Sequence, residues 1–212
     1  MVKRILITSG PTRAPLDAVR FISNRSTGRF GTLLAKEALR HGASVTMICG
    51  AGSETPTPHR RLRLIPIETN RDVERALRQE LTRRHYFAVI HAMALLDFAP
   101  VRVRRGKVAS RGGAWLVRLR PTEKIVSKIK RWLPGSFLVG FKLEGGVSEK
   151  KLLQKGRRLL RESRADLVVA NQLRPGGDER HAGYLLTAEG RSAGRIVGKS
   201  RLAAKIISLI PK

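Results

Sequence analysis

Cysteine is nearly missing from this chain: Cys49 stands alone among 212 residues. No internal disulfide can form, and a reducing compartment, the cytoplasm, is the expected setting. Long apolar runs are missing too. None approaches the roughly 18–20 residues of a membrane span. The chain opens on a strand-like run with no charged and apolar secretion signal ahead of it, so no membrane is expected. Aromatic residues make up 5% of the sequence, too little for a base-stacking platform. Acidic residues number 16 against 43 basic ones, a formal net charge of +27 that would suit nucleic acid. Yet His59-Arg60-Arg61, Arg83-Arg84 and Arg102-Val103-Arg104-Arg105 are scattered through loops and helix ends. Solvated surface, with a share serving anionic substrates, accounts for the excess better, and nucleic acid is not the expected partner.

What is present is an alternation of strand and helix signals. At this length, and with 42% apolar residues, one core is expected, a single domain over residues 1–212. Strands are predicted at 4–9, 44–49, 62–67, 86–91, 136–142 and 166–170, and helices at 28–41, 71–84, 123–132, 148–163 and 200–210. Asn70 is the expected N-cap of the second helix, with Val73, Ala76 and Leu81 on its apolar stripe. Ser148 plays the same part for the fourth, ahead of Leu152, Leu153, Leu159 and Leu160. Cys49 ends the run Ser44-Val45-Thr46-Met47-Ile48 and reads as a buried, inert thiol. The fold class is α/β: a mostly parallel sheet covered on both faces, with its site at the carboxyl ends of the strands. Phe98 to Arg120 breaks the pattern. It holds Gly106, Gly112 and Gly113, and alternation at Trp115-Leu116-Val117-Arg118-Leu119 predicts a projecting β arm at about 98–120. Tyr184 to Val197 reads as a second hairpin turning at Glu189-Gly190.

Two familiar motifs are refused. Ala193-Gly194-Arg195-Ile196-Val197-Gly198-Lys199-Ser200 fits a relaxed P-loop pattern, but no acidic residue follows Ser200 to hold a metal ion. The dinucleotide signature Gly-x-Gly-x-x-Gly is absent after the first strand. Instead Ile5-Leu6-Ile7-Thr8 breaks into Ser9-Gly10-Pro11-Thr12-Arg13, and Phe21-Ile22-Ser23-Asn24-Arg25-Ser26-Thr27-Gly28 opens a helix. Small residues at a helix N-terminus leave backbone N–H groups suited to phosphate.

These segments resemble the phosphopantothenoylcysteine synthetase family of coenzyme A biosynthesis. So do Ile90-His91-Ala92-Met93-Ala94-Leu95-Leu96-Asp97-Phe98, Gly106-Lys107-Val108, Lys124-Ile125-Val126, Val139-Gly140-Phe141-Lys142-Leu143-Glu144 and Ala165-Asp166-Leu167-Val168-Val169-Ala170-Asn171, in the family's order along nearly the whole chain. The likeness is to the free-standing form without a fused decarboxylase, which would then be a separate partner. The resemblance implies a Rossmann-like three-layer sandwich that forms homodimers. It implies a ligase that activates 4′-phosphopantothenate with CTP or ATP and Mg²⁺ as an acyl-nucleotide. Cysteine then displaces the nucleoside monophosphate to form the amide. Two other readings stay open: a basic nucleic-acid-binding protein on the same scaffold, betrayed by steep salt dependence, and an NAD(P)-linked reductase, whose Tyr–Lys pair neither Tyr86 nor Tyr184 supplies.

The resemblance also implies residue roles. Asn24 and Lys107 are the candidate catalytic groups, the amide for conversion of the acyl-nucleotide and the ammonium for charge developing on the α-phosphate. Arg20, Gly28, Ala92 and Met93 join Asn24 as substrate-binding candidates. Gly10, Asp97, Thr122, Glu123, Lys124, Ile125, Phe141, Arg157 and Arg161 are nucleotide-binding candidates, and no direct protein ligand to a metal ion is assigned. By periodicity Phe141 belongs to the core, and His91 reads as a satisfied structural histidine. The chain departs from the family's Asn-Asp at Asn171-Gln172. It has Arg157, Arg158 and Arg161 where paired lysines are usual, and its own arm sequence at Ser110-Arg111-Gly112-Gly113.

Overall fold

Ile5, Leu6 and Ile7 offer no polar residue for an outer face, and such a run is stable only where both faces of a strand are covered. The computed structural model, which describes residues 2–111, 113–172, 181–189 and 192–211, places it inside the main sheet as β1 (Arg4–Ser9). The chain continues through β2 (Arg13–Pro15), β3 (Phe21–Ser23), α1 (Arg29–Arg40), β4 (Ser44–Gly50), β5 (Leu62–Ile67), α2 (Asn70–Arg83) and β6 (Ala88–His91). Next come β7 (Phe98–Pro100), β8 (Leu119–Pro121), α3 (Val126–Trp132), β9 (Phe137–Glu144), α4 (Glu149–Ser163), β10 (Leu167–Gln172), β11 (Ala182–Thr187), β12 (Ser192–Val197) and α5 (Lys199–Leu209).

The main sheet has eight strands in the order β12-β11-β10-β9-β6-β1-β4-β5. From β10 to β5 every neighbouring pair is parallel, while β11 and β12 add an antiparallel edge. α1 and α5 cover one face with Leu34, Ala38, Leu202 and Ile206. α2, α3 and α4 cover the other with Val73, Leu77, Ile129 and Leu152. This is the three-layer α/β sandwich that alternation and resemblance implied. Cys49 is buried, and burial pushes its thiol pKa up, which keeps it an unreactive thiol. Among the described residues no helix is long and apolar enough to cross a membrane.

Several boundaries differ from expectation for local reasons. The N-cap of α2 is Thr69, not Asn70. The Thr69 hydroxyl accepts the Asp72 N–H and the Asp72 carboxylate accepts the Thr69 N–H, a closed capping box. Asn70 is the first helical residue, its side chain spent elsewhere. α3 begins at Val126 rather than 123, its entry wound as a tighter turn in which the Ser127 and Lys128 N–H groups donate to Lys124 O and Ile125 O. Ser148 caps α4 as expected, accepting from the Lys151 N–H. The tail hairpin is real but joins the main sheet as β11 and β12; its expected turn residue Gly190 lies outside the described residues. The arm pairs only at its base, β7 with β8, and Trp115 to Arg118 form no strand; Gly112 lies outside the described residues. The β2–β3 hairpin was not anticipated. Gly198 caps α5 behind an edge strand at φ +92°, so the relaxed P-loop match is an ordinary strand-to-helix turn.

Connectivity sets the site. From β1 the chain crosses through α1 to β4 on one side, and from β5 it returns through α2 to β6 on the other side of β1. The carboxyl ends of β1 and β6 therefore flank the switch point, where an open α/β sheet leaves its crevice.

Candidate active site

Beyond β1 and β6 the two chains stay zipped together. The Ala92 N–H donates to Thr8 O at 3.2 Å, Ala94 N–H to Gly10 O at 2.9 Å and Thr12 N–H to Ala94 O at 3.3 Å. Three side chains then hold the turn after Ala94. Thr12 Oγ1 donates to Asn70 Oδ1 (2.6 Å), and Asn70 Nδ2 and Thr122 Oγ1 both donate to Leu96 O (2.8 and 2.6 Å). A rim loop from Ala92 to Asp97 is thus fixed by residues from α2 and from the segment before α3.

Asn24 lies immediately after β3 and is pinned to that loop. Its Nδ2 donates to Leu95 O at 2.7 Å and, more loosely, to Ala94 O at 3.4 Å. Ser23 Oγ secures the neighbouring strand by donating to Thr12 O at 2.9 Å. The Asn24 amide is exposed, and among the described residues no donor reaches its Oδ1. The structure therefore presents a fixed acceptor at the switch point.

Arg20, at the other end of β3, keeps its side chain partly exposed while holding two partners. Its guanidinium donates to Asp17 Oδ2 at 2.7 Å and to Val108 O at 3.1 Å, and lies 5.7 Å from the Trp115 ring centroid. Asp17 is buried among N–H donors. Burial alone would raise its pKa, but the Val108, Val19 and Arg20 N–H groups and the Arg20 charge outweigh it and hold the carboxyl at about 2. Sequence reasoning passed over Asp17, although an Asp followed by N–H groups two and three residues on is a recognisable turn signal.

Gly10 and Gly28 serve close packing. Both have φ near +79°, and a Cβ on Gly10 would lie 1.8 Å from Ser53 Oγ, one on Gly28 2.8 Å from Ser53 Cβ. The space over both glycines thus holds Ser53, whose buried Oγ has no partner among the described residues. Gly50 meets the same knot from β4, where a Cβ would sit 1.9 Å from the Pro11 carbonyl oxygen. Gly50→Ala should therefore lower stability by about 2 kcal/mol or more, read as a shifted urea midpoint; an unchanged midpoint would show that the Pro11 turn yields freely.

The nucleotide candidates divide. Asp97 is exposed and ion-paired to Lys124, and Glu123 to Lys128, whose hydrogen bond pulls the Glu123 pKa down. Thr122 is half-buried beside Asn70, while Ile125 is a core residue. Met93 turns its side chain into the core and only its N–H toward Thr8 Oγ1; Ala92 is half-buried. Phe141, at the carboxyl half of β9, packs edge-on against Phe30 of α1, centroids 5.7 Å apart. Lys107 is exposed on the arm. Arg157 is exposed in the middle of α4. Arg161 is set apart: it falls in the last turn of α4, and a helix that leaves the carboxyl rim ends at the opposite edge of the sheet. The rim end of α4 carries Lys150, Lys151 and Lys155 instead, the last paired with Glu144 at 2.7 Å.

A cleft of about 510 Å³ lies to the side of the switch point, between the carboxyl half of edge strand β5 and the first turns of α2. It exists because β5 has no outer neighbour, and its Asp72 is already engaged by Thr69 and Arg75. Volume alone is a poorer guide here than the convergence at the switch point. Among the described residues no cluster of three or more His, Cys, Asp or Glu side chains is placed to hold a metal ion.

His91 stays structural. Thr8 Oγ1 accepts the Met93 N–H and lies 2.9 Å from His91 Nδ1, and burial lowers the imidazole pKa from 6.5 to about 4. Between those values the unfolded chain binds a proton that the folded one refuses, so this contribution is full above pH 6.5 and lost on acidification toward 4. Stability should fall by about 2 kcal/mol from pH 7 to 5 through this residue. His91→Asn should flatten that slope in urea titrations; an equal slope would assign the loss to other groups.

A parallel sheet covered on both faces, with a hairpin closing the loops at its switch point, defines a Rossmann-type α/β domain with a rim site. Residues 1–212 match the family model described as the DNA/pantothenate metabolism flavoprotein C-terminal domain, and the chain belongs to that family. It is 37% identical over 179 residues to the coenzyme A biosynthesis bifunctional protein CoaBC of Thermococcus kodakarensis, covering 84% of this chain and 43% of the relative. The chain thus spans less than half of that protein. A crystal structure of the DNA/pantothenate metabolism flavoprotein from Streptococcus pneumoniae superposes with a TM-score of 0.89 at 27% identity, covering 98% of this chain and 97% of that one. The Cab2 mutant H337A in complex with phosphopantothenate-cysteine gives 0.81 at 21% identity, over 97% and 85%, and extends the likeness of fold.

Proposed function

We propose that the chain is a phosphopantothenate–cysteine ligase of coenzyme A biosynthesis, acting as one synthetase unit over its whole length. The observation that carries this reading is Asn24, clamped by the Leu95 carbonyl at the β1/β6 switch point with its amide oxygen open. Family membership and the relative's role in coenzyme A biosynthesis supply the substrate class.

In the first step a phosphopantothenate carboxylate oxygen bonds to the α-phosphorus of CTP or ATP and pyrophosphate leaves. In the second the cysteine nitrogen bonds to the acyl carbon, the acyl–oxygen bond breaks and the nucleoside monophosphate leaves. Asn24 Oδ1 accepts a hydrogen bond from the incoming amine and orients it. Lys107 brings positive charge to the α-phosphate. Thr122 to Ile125 line the base, and Lys124 is drawn from Asp97 to a phosphate. A nucleotide-borne Mg²⁺ needs only one or two carboxylates besides phosphate and water, and the exposed Asp97 fits that part; when bound, the ion offsets triphosphate charge. A homodimer, a decarboxylase acting on the product, and a cytoplasmic location complete the reading.

The test is pyrophosphate release with phosphopantothenate, Mg²⁺ and each nucleotide in turn. Release before cysteine is added, and amide only after, is the expected result. No release with any nucleotide would reject the reading.

A further inference from the structure

Two oxygens of one carboxylate do different work at the tip of the β2–β3 hairpin. Asp17 Oδ1 accepts the N–H groups of Val19 (2.8 Å) and Arg20 (2.7 Å) and so shapes the turn. Asp17 Oδ2 faces the arm, accepting the Val108 N–H at 3.0 Å and the Arg20 guanidinium at 2.7 Å. Arg20 in turn donates to Val108 O at 3.1 Å. Val108 is thereby gripped through both its N–H and its C=O. A further anchor sits nearby, where the Arg104 N–H donates to Leu16 O at 3.0 Å. Lys107 lies between these anchors, in a segment too short to wander. Gly106, beside it, would meet nothing within 4 Å of an added Cβ, so that side of the stretch is open.

The same hairpin carries Asn24. β3 runs only from Phe21 to Ser23, so the Arg20 end and Asn24 are separated by one short, stiff strand of about 3.3 Å per residue. We infer that Asp17 is a positioning residue: through Oδ2 and the Arg20 it holds, it fixes the Arg104–Val108 segment, and so sets where Lys107 stands relative to Asn24. For its kinetic consequence the inference rests on the ligase reading; for the docking of the arm it does not.

Asp17→Asn separates the two functions. An asparagine keeps an oxygen for the turn N–H groups but turns an NH₂ toward the Val108 N–H and the guanidinium, donor against donor. The full chain should fold with a lowered thermal midpoint, since the ionised carboxylate stabilises the fold; well below that midpoint limited trypsin should still cut at Arg102 to Lys107 on the order of 10-fold faster as the arm lifts. Pyrophosphate release should lose on the order of 10-fold in kcat with little change in the nucleotide KM. The decisive arm is the double variant with Lys107→Gln, which should be no slower than Lys107→Gln alone, because Asp17 acts only through that lysine. Trp115→Leu, which removes the ring beneath Arg20 at an exposed position, should move proteolysis in the same direction without threatening the fold. Wild-type proteolysis in both variants would overturn the inference, as would losses that multiply in the double variant. If the parent protein released no pyrophosphate at all, the ligase reading would fail while the proteolysis comparison still decided the docking of the arm.

Discussion

Asn24→Asp is expected to leave pyrophosphate release nearly intact and to abolish amide formation, by on the order of 10²-fold or more. The parent amide donates from Nδ2 to Leu95 O at 2.7 Å and so keeps Oδ1 open toward the crevice. An aspartate of the same shape has no hydrogen to give. One carboxylate oxygen would face a carbonyl oxygen at hydrogen-bond distance, a repulsive contact, and the side chain would swing away from the rim loop. The acceptor that orients the amine is lost with it. Bond formation at the α-phosphorus needs charge neutralisation rather than this amide, so the first step survives. Acyl-nucleotide should therefore accumulate, detectable by mass spectrometry, while cysteine no longer discharges it. An Asn24→Asp enzyme that completed both steps would remove Asn24 from the chemistry and leave it as a clip for the hairpin.

The parts of this fold that could be read from sequence are those where one physical signal dominates. β1, β4 and β10 are continuous apolar runs because both their faces are covered, and α2 and α4 declare themselves by stripes, buried at Val73, Ala76, Leu81, Leu152 and Leu160 and half-buried at Leu153 and Leu159. The hairpin was illegible because Arg13–Pro15 and Phe21–Ser23 are too short to show alternation and pair only with each other. Thr69 and Asn70 are both good capping residues. The choice fell to Thr69 because Asn70 is needed by Thr12 and Leu96, a tertiary demand. Alternation at Trp115–Leu119 promised a strand, but only Leu119 joins one, as the first residue of β8; an arm held at its base and by Arg20 offers Trp115 to Arg118 no ladder.

The candidate site divides in the same way. Motif order brought Asn24, the Ala92–Asp97 loop and Thr122 to one rim, and the structure joins Asn24 and Thr122 each to that loop. What local sequence does not reveal is how a polar group is spent. Gly10 and Gly28 read as a phosphate cradle, yet their open side is filled by Ser53 from a loop far along the chain. Arg20 read as a ligand for substrate, with no sign in the sequence that a buried carboxylate three residues earlier also pairs with it. Arg161 was the avoidable misplacement. A helix predicted to start at 148 carries residue 161 to its far end, away from any site at the carboxyl rim.

Lys107→Gln should slow pyrophosphate release on the order of 10²-fold or more, as for loss of one well-placed transition-state contact. Glutamine nearly matches the lysine stem and keeps hydrogen-bond donors, so the loss reports charge. Pentacovalent phosphorus carries more negative charge on its oxygens than the bound triphosphate does, so a cation that arrives with the arm favours the transition state over the ground state. The effect should therefore fall on kcat in the first step, with the nucleotide KM nearly unchanged. The basic surroundings sharpen the test, because a net charge of +27 supplies ample long-range attraction for a triphosphate without this residue. If diffuse positive field were enough, Lys107→Gln would be silent and raised salt would slow parent and variant alike. If placement is what matters, parent and variant should differ by the same factor at low and high salt, since a contact made inside a closed site is screened far less than one across open solvent. A silent Lys107→Gln would turn the arm from a carrier of charge into a cover, and would take the catalytic weight of the first step back to the rim itself.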